Sequence, residues 1–174
     1  MFAARMGWVL AVDVAGDQRR GVPRRLAWQV SLGLNFNYFR DDALRVSYVS
    51  FMSNLGQEIA DHLTGLVTAG IDVLDDVELL QGVVDAGSKK ERADAVIKVG
   101  LGAPREFDER FFGCLVHAAR DAAPEFREAA VQAIFHTKWQ QFTDVLTDIS
   151  SADPKKAVRE LATRVLAALD TGRS

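Results

Sequence analysis

Around residue 54 of this 174-residue chain the spacing of apolar side chains changes from every second position to every third or fourth, so no single type of secondary structure runs through it. Before the change, Trp28, Val30, Leu32, Leu34, Phe36 and Tyr38 share one parity, and Gln29, Ser31, Asn35 and Asn37 share the other. That is the pattern of one long half-buried strand. Trp8, Leu10, Val12 and Val14 predict a shorter strand before it. Leu44, Val46 and Tyr48 predict another after the polar turn Arg40-Asp41-Asp42-Ala43. An antiparallel three-stranded meander over 1–52 is the expected pairing. Its apolar face needs cover, and helices over 53–174 are the cover available, which predicts an α+β, mostly α chain forming one body.

Helix punctuation appears where the new period predicts it. Asn54 caps a helix through Asp61, Leu63 and Leu66 that stops at Gly70, and a second runs from about Asp72 through Val77, Leu80 and Val84 to Gly87. Ser88-Lys89-Lys90-Glu91 reads as a capping box, in which serine and glutamate each satisfy a backbone donor. Pro124 and Pro154 sit at first turns, where the missing N–H costs nothing, and Asp153 is a suitable cap.

Three C-terminal segments come into one register. Arg92 is followed by Ala95, Arg127 by Ala130 and Arg159 by Ala162, with 35 and then 32 residues between the arginines. Each follows an apolar helix and a short turn: Ala86-Gly87-Ser88, Asp121-Ala122-Ala123-Pro124 and Ser151-Ala152-Asp153-Pro154. A small residue lets the second helix of a pair approach closely, and the arginine stem lies along the seam. Asp153-Pro154-Lys155-Lys156-Ala157-Val158-Arg159-Glu160-Leu161-Ala162 resembles the turn and second helix of a HEAT repeat. The likeness extends through Pro124 to Ala130, thins around Arg92 and covers roughly 72–170. It implies a short α-solenoid whose second helices line a concave surface that holds another macromolecule, and it implies no reaction. A non-repetitive helical bundle packed on the sheet is the alternative.

Composition narrows the function classes. A formal charge of -3 with 48% hydrophobic residues argues neither for a nucleic-acid coat nor for a disordered acidic chain. With Cys114 as the lone cysteine there is no intramolecular disulfide framework, and a reducing, cytoplasmic setting is the expectation. The apolar run Gly7 to Val12 is too short for a signal peptide and is interrupted by Asp13, and no uncharged stretch reaches the roughly 20 residues of a spanning helix. Met6 opens the same run and is a second candidate start.

Candidate chemistry is sparse. Cys114 and His117 stand three apart on a predicted helix, with His136 one helix later, which suits a thiol-imidazole pair or part of a metal site. Against this, Cys114 lies in the apolar run Phe111 to Val116, where a free cysteine is a core residue. Glu58, Asp61 and His62 read as a solvated face, and Asp41-Asp42 and Asp75-Asp76 as a turn and a cap, because adjacent carboxylates point apart instead of converging. The glycines form no phosphate loop. Arg19, Arg20, Arg24 and Arg25 flank Gly21-Val22-Pro23 in an expected loop between the first two strands. Residues 1–50 carry seven arginines against four aspartates, +3, leaving -6 for the rest of a chain of -3. The loop reads as an anion site for phosphate or nucleic acid, or as a solvated guard on a sheet edge.

The resulting expectation is a non-enzymatic protein-binding or adaptor module without cofactor or metal. Its partner is another protein, met by Glu91, Asp94, Lys98, Glu128, Gln132, Lys138 and Arg164 on the second helices. The alternatives are nucleic-acid binding through the arginine loop with Lys89 and Lys90, and a small enzyme built on Cys114 and His117. A homodimer is compatible with a short stack that must cover its apolar ends.

Overall fold

The structure, a computed structural model, describes residues 2–53 and 57–171, apart from the side chains of Ser53, Gln57, Glu58, Ala60 and Asp61. The chain divides into two compact units, 1–73 and 74–174. The division falls after the helix that follows the sheet, where the change of period would put it before.

The first unit is a four-stranded antiparallel sheet in the order β1-β2-β3-β4 with two helices. The short α1 (Phe2–Arg5) precedes β1 (Val9–Val14), β2 (Arg24–Ser31), β3 (Leu34–Asp41) and β4 (Val46–Ser53), and α2 (Gln57–Gly70) follows. The expected long strand is two strands joined at Leu32-Gly33. Gly33 takes φ +78°, which glycine adopts at little cost, and Leu32 is exposed at the tip. The parity of Trp28 to Tyr38 survives because each arm alternates: Leu26, Trp28 and Val30 face the same side as Phe36 and Tyr38. Trp28 pairs with Phe36, and Phe36 with Phe51, so three aromatic rings pack against one another, tilted, across three strands. Val67 of α2 and Ala3 of α1 close this core, with Phe2 against Trp8. Phe2 also lies so close to Gly70 that a Cβ there would overlap its ring. In β1 the register shifts between Leu10 and Val12, so the expected four-residue parity breaks: Leu10 opposes Trp28, while Val12 and Val14 oppose Ala27 and Arg25 of the other face. The Arg40 to Leu44 turn is held by Asp41, whose carboxylate accepts from the Ala43 and Leu44 amides at 2.9 Å. Leu44 belongs to that turn and β4 begins at Val46.

The second unit is six helices in three pairs: α3 (Asp76–Asp85) with α4 (Lys89–Gly102), α5 (Glu109–Ala119) with α6 (Pro124–Thr137), and α7 (Thr143–Ala152) with α8 (Lys156–Thr171). The second helices also form a row, α4 against α6 and α6 against α8. Small residues permit this: a Cβ on Gly100 of α4 would overlap the backbone of Ala133 in α6. The core between them is Phe111, Leu115, Val131, Ile134, Phe142, Leu146, Val158 and Ala162, all but inaccessible. Caps fall close to expectation. Ser88 accepts from the Glu91 amide at 3.2 Å, while the reciprocal pair of a full capping box forms at Asp75 and Glu78, at 2.8 and 2.9 Å. Pro124 is at a first turn, but α8 begins at Lys156, so the expected Pro154 precedes its first turn, and Asp153, which accepts from the Lys155 amide at 2.8 Å, ends α7 instead of capping α8. The expected cap Asn54 lies outside the described residues.

Candidate protein-interaction site

The three arginines aligned in the sequence hold equivalent places on α4, α6 and α8, and two of them reach the turn of the following pair. Arg92 Nη1 stands 3.4 Å from an Asp121 carboxylate oxygen, with its guanidinium over the Phe126 ring. Arg127 donates from Nε to Asp153 Oδ2 at 2.6 Å and from Nη2 to Oδ1 at 3.1 Å, a bidentate pair. Its Nη1 turns back to the Asp121 and Ala122 carbonyl oxygens, both at 3.0 Å. Arg159 turns back in the same way, from Nη1 to the Asp153 carbonyl oxygen. The Asp153 side chain is only 3% exposed, and the hydrogen bond from Arg127 holds its carboxyl below the ordinary range. Asp121 and Asp153 each lie six residues before the next arginine, a spacing visible in the sequence and missed there; Ala86 has that place in the first turn.

This register sorts the seven expected contact residues onto different faces. Glu91, Asp94 and Lys98 have the positions of Phe126, Ala129 and Ala133 in α6, and of Val158, Leu161 and Val165 in α8. In α6 and α8 those positions are buried, Leu161 half so, because they meet the preceding second helix. In α4 the three polar side chains instead line an open cavity of about 460 Å³ beside Leu74, Leu79 and Gly82 of the α3 side. They solvate the first end of the row, as an end unit requires. Glu128, Gln132 and Arg164 fall on the outward face of α6 and α8, where Gln132 and Arg164 are equivalent and Glu128 accepts from Lys155 at 3.1 Å. Lys138 ends α6 at φ +60° with its ammonium 4.2 Å from the Phe135 ring centre.

The second cavity, about 640 Å³, runs between α3 and α5 and is walled by Leu80, Val83, Val84 and Ala118, with Cys114, His117, Arg92 and Arg110 around it. Cys114 and His117 therefore share a groove, but burial pushes the Cys114 thiol up, against a smaller downward pull from Arg92, so it is a protonated thiol at neutral pH. Arg110 is committed to Asp108 at 2.7 Å and Asp76 at 3.1 Å, and holds the Asp108 carboxyl down at about 2. Among the described residues no three His, Cys, Asp or Glu side chains come together as metal ligands, so His136 does not join Cys114 and His117 in one.

Arg19, Arg20, Arg24 and Arg25 do not form one cluster. Arg19 and Arg20 lie on a single 3-10 turn capped by Asp17. Arg24 and Arg25 belong to β2, outside the expected loop: Arg24 meets Asp13 at 3.3 Å, and Arg25 lies across the sheet to Asn37 Oδ1 at 3.0 Å with its guanidinium toward Phe39. Lys89 pairs with Glu125 and Lys90 with Asp94. Of the paired carboxylates, Asp41 holds its turn, Asp42 meets Arg40 at 3.1 Å, Asp75 caps α3 and Asp76 meets Arg110. His62 is exposed on α2, and the Glu58 and Asp61 side chains lie outside the described residues.

The fold and its surfaces define an α+β chain with a helical unit of paired helices, and no described helix is long and apolar enough to cross a membrane. The chain matches no family model, no curated protein and no solved structure.

Proposed function

We propose that this protein is a non-catalytic binding or adaptor module whose helical unit, a HEAT-like stack, holds another protein on the outward face of its second helices. The observation that carries the reading is the common register of α6 and α8, which sets Gln132 and Arg164 at equivalent places beside Glu128 on adjacent helices. Rows of this kind offer an extended surface at low cost in stability, since each outward position is already solvated. The raised pKa of the Cys114 thiol argues against a nucleophilic role, and the ion pairs of Arg24, Lys89 and Lys90 leave little uncommitted charge for a polyanion.

Affinity capture from a lysate of the native host tests this, with nuclease treatment of a parallel sample. The reading predicts one protein retained after nuclease and lost with Gln132→Glu and Arg164→Glu combined. Nucleic acid that co-purifies and disappears with Arg19, Arg20, Arg24 and Arg25 changed to alanine would count for the opposing reading.

A further inference from the structure

Of the three aligned arginines, Arg92 alone has a guanidinium that donates no hydrogen bond among the described residues. Its Nη1 stands 3.4 Å from Asp121 and its plane lies on the Phe126 ring, which leaves the Nε and Nη2 edge without an acceptor. Arg127 and Arg159 turn Nη1 back to the carbonyl oxygen six residues earlier, whereas the equivalent carbonyl for Arg92, that of Ala86, receives nothing from it. Arg92 and Ala86 instead line the groove of about 640 Å³ between α3 and α5. Half-buried donors without acceptors cost stability, so this end of the groove favours a group that accepts.

Leu80, Val83, Val84 and Ala118 give this groove apolar walls, Cys114 adds a neutral thiol, and no described carboxylate lines it. The aspartates that meet its arginines, Asp121, Asp76 and Asp108, lie outside the lining. His117 is exposed four residues before Asp121 and so shares the Arg92 end. Arg110, already held by two aspartates, marks the other end, about 10 Å back along α5. An apolar trough with a few polar groups is the usual form of a small-molecule site, and its volume falls within the roughly 300–1,000 Å³ of such sites. We infer that the groove binds a small amphipathic carboxylate of medium chain length, with its tail along Leu80, Val84 and Cys114 and its carboxylate on Arg92 beside His117. A planar carboxylate takes the open Nε and Nη2 edge in the two-point geometry that Arg127 forms with Asp153. Asp121 keeps its own bond from the Ala123 amide and need not leave. A cationic or uncharged amphiphile would leave that edge unsatisfied.

Isothermal titration of the full chain with sodium octanoate, 1-octanol and octylamine reads this, together with the rate at which iodoacetamide alkylates Cys114 on the groove wall. Octanoate is expected to bind with a Kd of about 1 mM or below and to slow the alkylation. The alcohol, which lacks the charge, should bind at least about tenfold more weakly, and the amine not at all. Arg92→Met keeps the stem and removes the guanidinium, and Val84→Asp sets a carboxylate at an exposed wall position. Each should weaken octanoate at least about tenfold. Circular dichroism checks folding, and Val84→Asp decides the matter by itself if Arg92→Met unfolds. A wild-type chain that binds no octanoate at about 10 mM overturns the inference, as does 1-octanol binding as tightly as octanoate, or a folded variant that binds octanoate like wild type.

Discussion

Asp153 ties α6 to the α7–α8 turn, since its carboxylate accepts from both Arg127 donors and from the Lys155 amide, and its carbonyl oxygen accepts from Arg159. Removing one partner of so enclosed a pair leaves an uncompensated charge, so Arg127→Met should destabilise the protein by about 3 kcal/mol in urea unfolding. The sign of the pH dependence follows from the lowered carboxyl. Its folded pKa lies below the unfolded value, so the stabilisation is complete above the unfolded pKa and is lost as pH falls through the folded one. Asp153→Asn should start less stable at pH 7 and show a shallower loss below about pH 4 than the wild type in thermal melts. At Cys114 the expectation is slow alkylation at neutral pH, accelerating on denaturation; a rate equal to that of a free thiol would contradict the half-buried, protonated assignment.

At the scale of elements, two close approaches decide packing. Gly100→Leu should disrupt the α4 to α6 contact and cost about 2 kcal/mol or more in urea unfolding, because Ala133 backbone, not a flexible side chain, is what the new atoms meet. Deleting residues 1–5 should destabilise the first unit, since Phe2 and Ala3 are packed in its core; an unchanged melt of that unit would show them to be dispensable. The elements also show what was readable beforehand. The parity of Trp28 to Tyr38 located the aromatic core, although Ala27 and Asn37 of the other parity are also buried, but parity alone does not distinguish one strand from a hairpin whose arms keep the same phase, and only Gly33 inside the run hinted at the turn. The β1 bulge left no such mark, because it inserts a residue without a special type, and so Val12 and Val14 were assigned to the wrong side. Helix boundaries were more legible where a local feature sets them, as at Ser88, whose hydroxyl accepts from the Glu91 amide, and at Pro124 in the first turn of α6.

For the whole molecule, the arginine register was visible as sequence, yet its purpose was not. The partners of Arg92 and Arg127 lie 29 and 26 residues away, in turns whose aspartates read equally well as caps. That same register separates Glu91, Asp94 and Lys98, which solvate the first end of the row, from Gln132 and Arg164, which face outward. No periodicity argument makes that distinction, because an end helix is polar on a face where its equivalents are apolar only by virtue of its place in the stack. The central claim, a partner protein held on the outward face of α6 and α8, is tested most directly by site-specific photo-crosslinking in host cells from positions 132, 164 and 94. The account predicts one common protein adduct from 132 and 164 and none from 94. Adducts from 94 alone, or the same pattern from all three, would contradict it.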